Sequence, residues 1–584
     1  MKTVLRLMGF ARKYWLRLLL AFLCLIATTI FRLLVPRMLG QGIDTVLSSG
    51  EQRTIILMAV VIVAASALRG FTAYGNRYLT QVVSQRVSYD IRNAIYEHLQ
   101  RLSFAYYDKA QTGQLMSRAT VDVEAARRFV GEGFLNLLQT FFLIGGIAYL
   151  LISMDWKLAL LSLAVMPVIT WRAMVVRRRL QPIWLKVQQM MGTLGIILQE
   201  SLTGIRVVKA FAREQEESQK FATNAGQLYD AQIGTARLTA FNMPLMVFLL
   251  SLPTALVLWY GGRLVIARSM TIGEVTQYIL YLGMLAMPVR RLGFVANMFS
   301  RTVSAGERIL EILDTESLVR EKPGAIRLER LQGRVSFDNV SYSYNSMAPA
   351  LANVSFDVQP GQMVALLGNS GSGKSTIANL LSRFYDVSSG KITIDGTDIR
   401  DVTLASLRRN VVIAQQDVFL FSATIRDNIA YGAPDADMTQ ITAAAKAADI
   451  HEFIQGLPDG YDTWVGERGI TLSGGEKQRL VIARTLLMNP SILILDDATS
   501  SVDAETEHLI HLALDRLIKG RTTFIITHRL PVIRNADIIL MLRDGAVVEQ
   551  GKHDELMLRN GLYRQTYLSQ VAATRSSEED SMEA

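Results

Sequence analysis

The stretch Gly368-Asn369-Ser370-Gly371-Ser372-Gly373-Lys374-Ser375-Thr376 decides how the chain is read. An apolar run, Met363 to Leu367, leads into it, and Ile377-Ala378-Asn379-Leu380-Leu381 follows. Strand, glycine-rich turn and helix in that order are the context a phosphate-binding P-loop requires. The glycines let the turn wrap closely, so backbone N–H groups and the helix N-terminus converge on phosphate oxygens. Asn369, Ser370, Gly371, Gly373 and Thr376 are the expected cradle. Lys374 would reach the β- and γ-phosphates, and the Ser375 hydroxyl would hold Mg²⁺. A flexible Gly/Ser linker would not sit between a buried strand and a helix with Gly-Lys-Ser in register.

Around this loop, from Arg334 onward, the pattern is of short β-rich runs: Val335–Val340, Val354–Val358, Lys391–Asp395, Val411–Ala414, Ile492–Leu495 and Thr523–Thr527. Strands alternating with helices predict an α/β core with an added antiparallel piece. Four aliphatic residues, Ile492 to Leu495, end in Asp496-Asp497. A carboxylate at that strand end, Asp496, is positioned to hold Mg²⁺ beside the loop. Asp497, one residue on, stands where a carboxylate could polarise an attacking water. In Leu472-Ser473-Gly474-Gly475-Glu476-Lys477-Gln478, Ser473 and Glu476 have capping-box spacing ahead of a helix over Arg479–Met488. Its glycines would let a phosphate approach the helix amides. A chain with a complete P-loop does not need a second anion site for the same phosphates, so this element is expected to complete a site on another copy of the domain.

The half before this domain has a different composition. The 584 residues are 50% hydrophobic and only 19% charged. Segments near 17–39, 54–79, 134–153, 157–177, 241–262 and 274–297 approach the ~20 apolar residues that cross a bilayer. Arg32 interrupts the first, and is read either as part of a translocation path or as a packing or snorkelling arginine. The net charge of +9 reads as Lys/Arg excess on cytoplasmic segments, such as Arg127-Arg128 and Arg177-Arg178-Arg179, and not as a nucleic-acid footprint. The basic N-terminus before a long apolar stretch predicts a first span with a cytoplasmic N-terminus and no cleaved signal peptide. The lone cysteine, Cys24, lies in an apolar run and is read as packing.

The connections between spans alternate in length. The long ones, about 80–133 and 178–240, are rich in helix formers and predict spanning helices that extend into the cytoplasm. Two breaks within them, Phe104–Thr112 and Thr203–Phe211, suit helix–turn–helix tips that dock on another domain. The domain expectation is therefore a transmembrane domain over 1–313, a linker over 314–333, a nucleotide-binding domain over 334–572 and a disordered acidic tail over 573–584.

With these motifs in place, nearly the whole chain resembles an ATP-binding cassette (ABC) exporter half-transporter. The resemblance implies an α-helical six-span membrane domain fused to an α/β P-loop nucleotide-binding domain. It also implies multi-pass insertion in the cytoplasmic (inner) membrane, among its lipids, with the nucleotide domain on the cytoplasmic side. In that family two chains sandwich two ATP molecules between P-loop and signature faces, so a second half-transporter is the implied partner. Tyr344 matches the aromatic that stacks on adenine, and Gln416 the glutamine that senses Mg²⁺. Ser473, Gly474 and Gly475 match the signature that contacts the opposite ATP. Ser500–Asp503 resembles the loop linking the two sites, and His528 matches the γ-phosphate switch. The tips at Phe104–Thr112 and Thr203–Phe211 resemble the family's coupling helices.

Two positions depart from the family pattern. Asp497 stands where glutamate is usual, which draws the carboxylate back by about 1 Å, a misplacement worth on the order of 10²-fold in rate. Trp464 replaces the first acidic residue of an interface loop, while Glu467 is kept. This selective loss resembles the weaker subunit of a heterodimeric exporter, with a slow site at its own P-loop; a homodimer hydrolysing ATP with Asp497 is the alternative. The expected activity is ATP-driven export, with an ATP-gated channel or regulator as a second class. Met243, Met246, Phe248, Trp259, Tyr278, Tyr281, Met284 and Met287 would suit an amphipathic or lipophilic ligand, or would simply pack and meet lipid.

Overall fold

A computed structural model of the chain describes residues 2–48, 52–329, 331–344, 349–414, 418–466, 469, 471–496, 504–527, 530–569 and 571, with the side chains of 52, 286–297 and 504–507 left aside. The chain divides into two compact units. The first comprises Met1–Leu99 with Gly113–Asp314; the second comprises Gln100–Thr112 with Thr315–Ala584. Thirteen residues from the middle of the helical half therefore group with the nucleotide-binding half.

Long helices make up the first unit. They run well past the bilayer length although Pro36, Pro182, Pro244 and Pro253 lie in their interiors. Five helical stretches among the described residues are long and apolar enough to span: Trp15–Ser48, Arg53–Arg101, Thr112–Met154, Trp156–Thr203 and Glu214–Ile266. A further helix covers Ile272–Asp314 and includes the segment expected near 274–297. Each expected span lies inside a longer helical stretch, as the helix-forming composition of the long connections predicts.

Where these helices meet, small residues and buried polar groups set the contact. A Cβ on Gly273 would fall 2.0 Å from the Gly40 carbonyl oxygen, so only glycine fits the crossing of the first helix with Ile272–Asp314. Asp44 accepts hydrogen bonds there from Thr271 Oγ1 (2.6 Å) and the Gly273 amide (2.8 Å), satisfying an N-terminal donor of the latter helix. One helical turn and more away, the Tyr281 hydroxyl donates to the Leu33 carbonyl at 2.7 Å. Tyr278 and Tyr281 are fully buried among Leu143, Ile147, Leu158 and Val257. Packing is therefore their role, whereas Met243, Phe248 and Trp259 are exposed. Cys24 approaches Gly75 on the second helix, where an added Cβ would lie 3.3 Å from its sulfur. Arg32 is half-buried and is not without a partner.

Among the described residues of the second unit, ten strands form two sheets. The strands are β1 Val335–Tyr342, β2 Leu351–Val358, β3 Met363–Leu367, β4 Ser389–Ile394, β5 Thr397–Asp398, β6 Val411–Ala414, β7 Ile492–Asp496, β8 Thr522–Ile526, β9 Ile538–Arg543 and β10 Ala546–Gly551. An antiparallel sheet runs β2-β1-β4-β5, and a six-stranded sheet runs β10-β9-β3-β8-β7-β6. In the latter, β9, β3, β8, β7 and β6 are parallel, with β10 antiparallel at one edge. Strand β7 is aliphatic up to Asp496, and β8, Thr522–Ile526, is buried along its whole length, as a parallel sheet covered on both faces requires. The parallel arrangement brings the C-terminal ends of β3 and β7 to one edge, where open α/β sheets bind ligands.

The loop Gln100–Thr112 packs in this unit through aromatics. Phe104 stacks on Phe384 with ring centroids 4.3 Å apart, and Ala105 packs against the core of the antiparallel sheet. Arg383, 1% exposed, donates to the carbonyls of Arg320 (2.9 Å) and Ile399 (3.1 Å) and to Asp386 (2.8 Å). A buried guanidinium is tolerated only when its donors are so used. It anchors the linker strand near Arg320 to the nucleotide-binding core.

Candidate nucleotide site

The P-loop sits between β3 and the helix Lys374–Leu381, as the sequence predicts. Its turn needs glycine in a physical sense. Gly373 has φ +105°, and a Cβ there would lie 2.6 Å from Leu351 Cδ2 and 2.8 Å from the Ala350 carbonyl oxygen. Gly368 has φ +146°, and a Cβ there would come within 2.3 Å of the Leu542 carbonyl. The strained turn leaves Asn369, Ser370, Gly371 and Ser375 exposed around the helix N-terminus. No side chain caps that terminus, so its amides stay available to an anion.

Lys374 folds back over the turn, donating to the carbonyls of Gly368 (2.7 Å) and Asn369 (2.9 Å). Burial holds its ammonium below the ordinary lysine range, and the nearby Asp496 carboxylate pulls it partly back. That interaction brings the end of β7 close to the P-loop. The Ser372 hydroxyl is 5% exposed and has no hydrogen-bond partner among the described residues. An orphaned buried donor beside exposed amides and a depressed lysine is the donor set a polyphosphate completes. Ser375, exposed on the first helical turn, and Asp496 fit a Mg²⁺ ion, because this metal takes hard oxygen ligands and keeps the rest as water and phosphate.

Tyr344 stands where an adenine could stack, 41% exposed. Its ring is edge-on to Tyr342 (4.9 Å) and to Tyr385 (5.1 Å), and its hydroxyl donates to Thr376 Oγ1 of the P-loop helix at 3.4 Å. The Tyr344 ring is thus tied to the P-loop helix through Thr376, whose side chain is buried.

The helix following the second glycine-rich motif is Gly474–Met488, starting five residues earlier than expected. Ser473 caps it with a reciprocal box: the Glu476 amide donates to Ser473 Oγ (3.4 Å) and the Ser473 amide to Glu476 Oε2 (2.7 Å). Ser473 and Gly474 are exposed and a Cβ on Gly474 meets nothing within 4 Å, while Gly475 is buried. Trp464 is exposed, bridges Thr424, and donates from Nε1 to Ser422 Oγ at 3.3 Å. Gln416, Glu467, Asp497, Ser500–Asp503, His528 and the 573–584 tail lie outside the described residues.

Sequence reasoning passed over Arg383-Phe384-Tyr385, directly after the P-loop helix. The Tyr385 hydroxyl donates to Asp108 at 2.8 Å, and Arg408 lies over the Phe384 ring at 5.2 Å. Two large aromatics beside an arginine, just past the last apolar turn, were the available signal.

With both units described, the relationship to known proteins is direct. The ABC transporter transmembrane region matches residues 18–289, and the ABC transporter nucleotide-binding family matches residues 351–500. The chain belongs to the ABC transporter family, and its helical domain fused to an α/β nucleotide-binding domain makes it an exporter chain. It is 40% identical over 558 residues to the uncharacterized ABC transporter ATP-binding protein YknU of Bacillus subtilis (strain 168), covering 95% of each protein. It is 36% identical over 574 residues to an ATP-dependent lipid A-core flippase of Syntrophus aciditrophicus (strain SB), covering 98% of this chain and 95% of that one. A solved structure of a bacterial Atm1-family ABC exporter with ATP bound superposes with a TM-score of 0.78 at 31% identity, covering 95% of this chain and 99% of that one. The protein is therefore a multi-pass membrane ATPase that binds ATP and couples it to translocation, and chains of this kind work as dimers.

Proposed function

We propose that this chain exports an amphipathic or lipophilic substrate from the cytoplasm across the cytoplasmic (inner) membrane, as one half of a heterodimer in which its own P-loop forms the slow ATP site. The N-terminus and the nucleotide-binding domain lie on the cytoplasmic side, and lipid surrounds the helical unit. Asn369, Ser370, Gly371, Gly373, Lys374 and Thr376 hold the triphosphate and Tyr344 the adenine. Mg²⁺ is held by Ser375, Asp496 and Gln416, and when bound it neutralises charge building up on the phosphates. His528 senses the γ-phosphate. Asp497 is the carboxylate that orients water, and it is one methylene short of its usual reach. Ser473, Gly474 and Gly475 complete the partner's site. ATP binding closes the two nucleotide-binding domains, and hydrolysis resets them.

The observation that carries the slow-site reading is the sequence Asp496-Asp497, an aspartate where the family has glutamate, against an otherwise complete P-loop. Expressed alone, the chain should turn ATP over slowly, roughly 10²-fold below an exporter with a glutamate at that position. Brisk turnover by the chain alone, abolished by Asp497→Asn, would instead establish the homodimer hydrolysing ATP with Asp497. A second ABC half co-purifying with this chain, its corresponding strand ending in Asp-Glu, would complete the heterodimer.

A further inference from the structure

We propose that Tyr385 is a positioning residue that carries the state of the base subsite to the loop Gln100–Thr112, so that this loop responds to the base of the bound nucleotide and not only to its phosphates. The proposal rests on the reading that Tyr344 takes the adenine.

A continuous run of contacts joins the two places. Tyr344, the exposed ring, meets Tyr385 edge-on at 5.1 Å with an interplanar angle of 83°. Tyr342 closes the cluster, 4.9 Å from Tyr344 and 5.5 Å from Tyr385. Tyr385 is buried, and its hydroxyl donates to Asp108 Oδ2 at 2.8 Å. Phe104, four residues before Asp108, stacks on Phe384 at 4.3 Å and leans on Tyr385 at 6.5 Å. Every link is either a ring contact with a preferred angle or a hydrogen bond to a carboxylate, and both kinds are sensitive to orientation.

The segment bearing Tyr385 cannot absorb a displacement locally. Arg383 holds a left-handed backbone conformation (φ +48°), and its buried guanidinium is fixed to the carbonyls of Arg320 and Ile399. Arg408 donates to the Arg383 carbonyl at 3.0 Å and covers the Phe384 ring. A stiff backbone on one side leaves the Tyr385 ring and hydroxyl as the parts free to respond. A base stacking on Tyr344 fixes that ring's tilt; the edge contact passes the tilt to Tyr385, and the hydroxyl passes it to Asp108. The loop continues in both directions into the helices of the membrane unit, so its position is a signal those helices can use.

The test uses the full-length chain in lipid nanodiscs, with Cys24→Ser removing the native thiol and Lys109→Cys carrying an environment-sensitive fluorophore on the exposed face of the loop. The ligands are Mg·ATP and, as a base-free probe, Mg·tripolyphosphate. ATP should shift the label's emission, and saturating tripolyphosphate should give less than about a third of that shift, because ring contacts carry the missing part. Tyr385→Phe, which keeps the ring, and Asp108→Asn should each cut the ATP response about five-fold, the order of one hydrogen bond to a carboxylate. ATP affinity should stay within about three-fold of the parent in both, a readout that a merely structural role would not preserve. The double variant should be no worse than either single one. A full ATP response in both variants, or an equal response to tripolyphosphate, would overturn the proposal. Loss of the response together with ATP affinity would do the same. If Tyr344→Ala leaves ATP affinity unchanged, the base does not sit there, and the adenine assignment itself falls by that separate measurement.

Discussion

Two helix N-termini in the nucleotide-binding unit carry glycine-rich motifs, and they are finished differently. The helix Lys374–Leu381 begins with an uncapped turn, a depressed lysine and an orphaned serine hydroxyl. The helix Gly474–Met488 begins with its own Ser473 and Glu476 satisfying each other. The first is incomplete without an anion from solution. The second is already satisfied, and so costs little to leave exposed until a phosphate arrives on another surface. Under the function proposed above, the first terminus captures this chain's nucleotide and the second waits for the partner's.

The strongest way to break this contrast is at Lys374. Lys374→Ala should weaken ATP binding at this chain's own P-loop on the order of 10- to 100-fold, the loss of hydrogen bonds between charged groups. A loss under about three-fold, measured by photolabelling of this P-loop with an azido-ATP, would mean that the first terminus is not the capturing one. Ser473→Ala should act elsewhere. It removes a cap worth about 1 kcal/mol to its own helix, which is small for a unit of this size. If the partner's γ-phosphate uses that hydroxyl, turnover at the partner's site should fall about 10- to 100-fold, while ATP binding at this chain's P-loop is unchanged. Equal loss at both sites, read by site-selective photolabelling with an azido-ATP, would erase the distinction between the two termini.

The smallest expected effect is a pH dependence. Burial holds the Lys374 amine low, and bound phosphates favour its charged form, so nucleotide binding takes up a proton. Affinity should therefore fall, by less than about ten-fold, as pH rises toward the ordinary lysine range. Lys374→Arg, which stays charged throughout that rise, should flatten the curve. An unchanged slope in that variant, measured by calorimetric titration, would assign the proton to another group.

Much of this contrast was legible in the chain because it depends on local rules. Gly368, Gly373 and Lys374 declare themselves by spacing, and Ser473 with Glu476 by the capping pattern. The strand ending at Asp496 was readable because a parallel strand buried on both faces is aliphatic from end to end. The partners of the Phe104–Asp108 tip were not readable, since Phe384 and Tyr385 lie more than 270 residues away and nothing local marks such a pairing. Tyr278 and Tyr281 look suited to a ligand by residue type, yet both pack inside the helical unit. Residue type alone does not say which side of a helix faces a neighbour when most sides are apolar. The helices also run far beyond the hydrophobic segments, because charged helix formers extend a helix without adding to its hydropathy. Of the expected six spans, five meet length and hydropathy among the described residues.

Membership of Gln100–Thr112 in the second unit also sets an order of events during synthesis. Asp108 leaves the ribosome 277 residues before Tyr385 exists to bind it. At roughly 5–20 residues per second, that interval is about 15–55 s. Through it Phe104 has no ring to stack on, and the tip must stay uncommitted while the later helices are made. The nucleotide-binding unit then folds around a piece of chain made long before it. A mutation at Phe104 or Tyr385 would thus remove contacts that form only late in synthesis, once Phe384 and Tyr385 have been made.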